Sequence, residues 1–165
     1  MGWFKRDRRQ AVSAREIADT LFQVLVEDEL DVGHPKRFNV PSPLWPPFRE
    51  KMRRYREAGT LMLLGVQAQQ EAAYAEVLRA YEALILPSTP TPAGLRKLDG
   101  LKAAMRDLGA LLQPEGERRQ LSWSMAWLDG IGHIEANAAV LTLFAIYWMD
   151  FSGAVAGSLA TLRPR

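Results

Sequence analysis

Three groups of residues have types and spacings that could do chemistry. Asp129 and His133 stand at i and i+4. On a continuous helix both would lie on one face, where a single metal ion could touch them. Two ligands do not make a site. Carboxylate-bridged sites in helical bundles recruit several, typically with Glu-x-x-His pairs, and neither that motif nor His-Glu-x-x-His occurs. No metal or other cofactor is therefore expected; if a metal did bind, Asp129 and His133 would be its ligands. The plainer expectation is a histidine at a helix end, hydrogen-bonded to a neighbouring acid.

Asp150 is the second candidate. It sits among Ile146, Tyr147, Phe151 and Ala154, where a carboxylate must be paired, protonated or at an oligomer surface. A structural pair with Tyr147 or with a distant arginine is expected. Gly153 and Gly157 share its helix face and fit the small-xxx-small pattern that lets two helices approach closely. The acid would then lie where another backbone comes nearest. Asp150, Gly153 and Gly157 are thus candidate binding residues.

The third group is Arg49, Arg53 and Arg56, aligned along one helix face within the densest basic run. Such a row could contact phosphates. However, Glu50–Arg54 and Arg53–Glu57 are i, i+4 pairs, the mark of a solvated face. No helix-turn-helix spacing or aromatic nucleic-acid motif accompanies them, so nucleic acid is not the expected partner. Nothing resembles a nucleophile elbow, a phosphate loop or a dinucleotide fingerprint. With two histidines and no cysteine, the catalytic vocabulary is thin, and the chain leans away from being an enzyme.

The elements that must position these residues read as helices. The 165 residues are the size of one domain. Residues 1–12 form a basic leader with Trp3 and Phe4; residues 13–165 form a single helical domain. Ser13-Ala-Arg-Glu16 is a capping box, opening a helix expected to reach Asp31. That end is acidic (Glu27, Asp28, Glu29, Asp31), which opposes the helix dipole. Residues 33–47 are a proline-rich connection without helix or strand, whose Phe38, Val40, Leu44 and Trp45 should pack onto the bundle. Its Pro43-Leu-Trp-Pro46 fits the weak PxxP pattern.

Pro46 or Pro47 suits the first turn of a second helix. That helix either continues to Leu86 or breaks at Ala58-Gly59-Thr60. Thr91-Pro92 caps another, with Leu98, Leu101, Met105, Leu108 and Leu112 as its apolar seam. A segment from Glu117 carries Leu121, Met125 and Leu128 one way, with Trp123 and Trp127 beside them. Gly130 and Gly132 predict a break or bend over 129–132.

From Ile134 a final helix runs to Thr161. The stretch Leu121–Leu162 has no lysine or arginine, and Ala138–Met149 is apolar on every side of a helix. Such a helix must be surrounded by other helices or by lipid. The uninterrupted run of twelve residues suits burial in protein better than a membrane span.

The expected fold is all-α, a bundle of four to six helices with the apolar C-terminal helix as core or interface. The expected function is a non-catalytic interaction or assembly subunit that self-associates or binds a protein partner. The tryptophans at 3, 45, 123, 127 and 148 would serve as anchors. A membrane-associated protein using residues 1–9 and 138–162 is the second expectation. A metal- or ligand-binding helical bundle enzyme is the third. The expected location is cytoplasmic, with membrane association as the alternative.

Overall fold

The structure is a computed structural model that describes residues 10–27, 33–86, 90–111, 116–135 and 137–164. Trp3, Phe4 and the acidic residues Asp28, Glu29 and Asp31 lie outside the described residues, as do Leu112 and residues 113–115. The fold is all-α. Among the described residues the one departure is a pair of three-residue strands, β1 (Gln10–Val12) and β2 (Leu162–Pro164). They pair in parallel with Gln10 opposite Leu162.

Helix α1 (Ala14–Phe22) starts on the expected capping box: Glu16 N–H donates to Ser13 Oγ at 3.2 Å, and Ser13 N–H to Glu16 Oε2 at 2.9 Å. It loosens into a π-turn at Gln23–Glu27. The proline-rich connection is not helix-free. It contains α2 (Gly33–Arg37), with Pro35 in the first turn, where a missing N–H costs little. Asn39, at φ 51, closes α2 in the left-handed conformation. Val40 N–H then reaches Pro35 O at 2.8 Å and Asn39 N–H reaches Lys36 O at 3.0 Å. Phe38 and Val40 are buried, and Trp45 Nε1 donates to Val40 O at 2.8 Å.

Helix α3 (Trp45–Gln70) begins with Pro46 and Pro47 in its first turn. It runs straight through Gly59, where a break had been one expectation. Glycine stands there because a Cβ would come 2.9 Å from Phe151 Cε1. The chain turns instead at Glu71, which is extended, and α4 (Tyr74–Ile85) follows. The turn lets α4 fold back against α1 and α3, with Tyr74, Val77, Tyr81 and Ile85 buried.

Helix α5 (Pro92–Leu111) is capped by Thr91, whose Oγ1 accepts from Gly94 N–H at 3.0 Å, and it packs on α3. Helix α6 (Gly116–Asp129) ends where the two glycines predicted. Gly132 has φ 88; its N–H reaches Asp129 O at 2.7 Å and His133 N–H reaches Leu128 O at 2.9 Å, a Schellman cap. A Cβ is disfavoured at that φ, so Gly132→Ala should cost about 1–2 kcal/mol. Denaturant unfolding measures it, with Gly65→Ala as the control, since a Cβ there meets nothing within 4 Å.

The last helix, α7, spans Ala138–Thr161, starting later than Ile134. Asn137 Oδ1 accepts from Val140 N–H at 3.0 Å and caps it. It packs on α6 and α3. Among the described residues there are therefore six helices of nine residues or more, plus α2.

Candidate functional site

Over Ala138–Met149 α7 is apolar all round, yet it is enclosed on one side only. Val140, Phe144, Tyr147, Trp148, Phe151, Val155 and Leu159 form its buried stripe. Phe144 is the centre of an aromatic cluster, with ring centroids 4.7 Å from Trp127 and 5.1 Å from Phe38. The opposite face is open. Leu143 is 41% exposed, Ile146 44% and Met149 61%. Farther along, Gly153, Ala154, Gly157 and Ala160 are exposed too. A Cβ at Gly153 or Gly157 would meet nothing within 4 Å. Asp150 lies on this same face and is exposed, which corrects the expectation of a buried structural pair.

One arginine of the expected basic face is in the core instead. Arg56 is fully buried. Its Nε donates to the Tyr147 hydroxyl, and its guanidinium lies 5.4 Å from the ring centroids of both Tyr147 and Phe151. The expected basic face is therefore split three ways. Arg49 is half-buried with its guanidinium 5.8 Å from the Trp45 ring. Arg53 is exposed, 3.7 Å from Glu57 Oε1. Arg56 is beyond the reach of any phosphate. Of the two expected i, i+4 pairs, Arg54–Glu50 is also formed, at 2.9 Å.

Asp129 and His133 are not brought onto one helix face, because α6 stops between them. Asp129 is exposed, whereas His133 is buried and its Nε2 has no hydrogen-bond partner among the described residues. The expected bond to a neighbouring acid is therefore not formed there. Among the described residues no three metal-ligating side chains come together.

Three cavities flank these features. One, of about 220 Å³, lies between α3, α5, α6 and α7 and is apolar. A second, of about 430 Å³, is charged and runs between α3 and α5, lined by Glu50, Arg53, Arg54, Glu57, Arg96 and Lys97. Its cations are largely spent on acids: buried Glu57 has Lys97 Nζ at 3.4 Å as well as Arg53. Burial pushes the Glu57 carboxyl up, with Lys97 and then Arg53 pulling against it.

The third, of about 330 Å³, is lined by Lys51, Tyr55 and Gly130 among others. Lys51 Nζ donates to Trp127 O at 2.9 Å and sits 4.7 Å from the Trp127 ring centroid. Gly130 leaves room for it, since a Cβ there would be 2.8 Å from Nζ. Burial lowers the Lys51 pKa, and Asp107 opposes that shift.

Burial raises the Tyr55 hydroxyl, which also donates to Asp107; burial raises Tyr81 as well. Both tyrosines therefore keep their protons in the folded chain above about pH 10, where the unfolded chain loses them. Folding stability should fall as pH rises past that point. Lys51 acts oppositely, because the folded chain releases its proton first. It adds stability between its lowered pKa and the ordinary lysine value near about 10.4. Two groups then outweigh one. Thermal unfolding across the alkaline range should show a decline above about pH 10, shallower in Tyr55→Phe.

No family model matches the chain, and neither a curated protein nor a solved structure does.

Proposed function

We propose that the chain is a non-catalytic assembly subunit that pairs with a second copy of itself through the outward face of α7. The supporting observation is how size is distributed along that face. Its first half carries Leu143, Ile146 and Met149; its second half carries Gly153, Ala154, Gly157 and Ala160. Two copies laid antiparallel, with the two-fold axis between Phe151 and Ser152, place every large side chain over a small one. Leu143 meets Ala160, Ile146 meets Gly157, Met149 meets Ala154, and Asp150 meets Gly153. A two-fold contact must be self-complementary in this way. Close helix approach at small residues adds contact area that neither copy can supply alone.

A lipid environment is the competing occupant, because α7 is long and apolar enough to cross a membrane by length and composition. Two features favour protein. The other face of α7 is already packed on α3 and α6. Asp150 falls near the midpoint of the helix, where insertion costs roughly 2.5–3.5 kcal/mol.

Sedimentation velocity over a concentration series tests the reading. Dimers should form at micromolar concentration without detergent. A species that stays monomeric at a hundredfold higher concentration, or that is recovered only in detergent-extracted membranes, would overturn it.

A further inference from the structure

The charged groove between α3 and α5 has no lining residue on α7, so it is separate from the pairing face. Its lining holds four cations, Arg53, Arg54, Arg96 and Lys97, against two acids, Glu50 and Glu57, which leaves an excess of two positive charges. Ala93, in the first turn of α5, also lines the groove, and that turn carries no acid. The positive end of the helix dipole therefore adds to the excess.

The two acids leave donors unused. Glu57 is buried and holds Arg53 and Lys97 at the groove wall. Ammonium and guanidinium groups carry several donors each, so one carboxylate contact does not exhaust them. The side chains of Arg53 and Lys97 are 45% and 38% exposed, which keeps those donors within reach of a ligand. Arg96 is exposed and has no hydrogen bond or ion pair among the described residues.

Arg54 is seated rather than loose. Its Nη2 donates to Glu50 Oε1 at 2.9 Å. A Cβ at Gly100 would stand 2.8 Å from Arg54 Cδ and 2.9 Å from its Cζ. Glycine is unfavourable inside a helix, yet here it makes the notch in α5 that receives the Arg54 side chain.

We infer that this groove binds a small dianionic phosphate, free or as a monoester, held by the Arg54 and Arg96 guanidinium groups with Arg53 and Lys97 completing the charge. Near neutral pH a phosphate monoester carries a charge of about −1.5 to −2, which matches the excess. A guanidinium fork can bond two phosphate oxygens at once.

Calorimetric titration of the full chain with inorganic phosphate and with glycerol 3-phosphate tests this, at about pH 7.5 and a fixed ionic strength of about 0.15 M. Saturable binding at one site per chain is expected. Tighter binding of glycerol 3-phosphate assigns an ester as the ligand, and tighter binding of inorganic phosphate assigns the free ion. Arg96→Gln should weaken binding by about tenfold. Arg79→Gln, outside the groove on α4, changes the net charge equally and should leave binding as it is. Gly100→Ala is the sharper variant. It alters no charge, and alanine is the better residue inside a helix, so folding is favoured. It displaces Arg54 from its seat and should weaken binding several-fold. Absence of saturable binding, equal losses in Arg96→Gln and Arg79→Gln, or parent-like binding by Gly100→Ala would each overturn the inference.

Discussion

Replacing Phe144 with alanine should cost about 3–5 kcal/mol of folding stability. Phe144 is wholly buried. Its ring lies edge-on to Phe38 and Trp148, stacks on Trp123 at 5.8 Å, and makes its closest approach to Trp127. Truncation removes the transfer free energy of the ring and leaves a hole that rigid aromatic neighbours cannot fill. Edge and offset ring contacts add about 0.5–1.5 kcal/mol per pair beyond area burial. For a domain of this size each kcal/mol lowers the melting temperature by about 2–4 °C. Thermal and denaturant unfolding should agree on a loss of roughly 6–20 °C. Ile146→Ala, two residues along the same helix, should change the monomer by less than about 1 kcal/mol, because its side chain is already half in water. The contrast between the two substitutions decides whether α7 has one buried face. Equal losses would mean that it is enclosed on both.

That two-sidedness was not legible in the sequence. A hydropathy reading counts Ile146 and Met149 as equal to Phe144 and Phe151, so the helix looks uniformly apolar. Shape separates them. The inward stripe holds the aromatics, which pack on Phe38, Trp123 and Trp127, and the outward face holds aliphatic and small residues. Local signals with a backbone mechanism were legible. Ser13 with Glu16, Thr91 before Pro92, and Pro46 at a helix start each satisfy or remove a specific N–H group. Gly132 supplies the φ that the end of α6 requires.

Where packing overruled local preference, the sequence misled. Glu71, Ala72 and Ala73 are good helix formers, yet the chain turns there and α4 folds back with Tyr74 and Tyr81 buried. Gly59 resembles a stop, yet it is a notch for Phe151. Arg56 was placed on a solvated face by charge pattern alone. Its burial depends on Tyr147, far along the chain, and no spacing within α3 announces that partner. Asp150 had the opposite fate. Nothing local distinguishes an apolar helix that is enclosed from one that is open along one side, and the carboxylate is on the open side.

Self-association should fail by at least a hundredfold in Ile146→Glu. Two carboxylates would enter the pairing face, and each loses hydration without gaining a cation. Gly157→Leu should weaken the pair comparably by a different route, filling the notch that receives Ile146. Its effect on the monomer has the opposite sign. No atom lies within 4 Å of a Cβ at that position, and leucine favours a helix interior over glycine by about 0.8 kcal/mol. A stabilised chain that no longer pairs cannot be explained by misfolding. Asp150→Asn completes the set. In the antiparallel arrangement the two Asp150 carboxylates approach each other across the axis, and their repulsion opposes pairing. Removing both charges should tighten the dimer and flatten its salt dependence, because screening no longer has a repulsion to relieve. Sedimentation equilibrium on the four chains should therefore rank Asp150→Asn tightest, the parent next, and Gly157→Leu and Ile146→Glu weakest. If Gly157→Leu pairs as well as the parent, the size-matched register is wrong even if the chain dimerises by another surface.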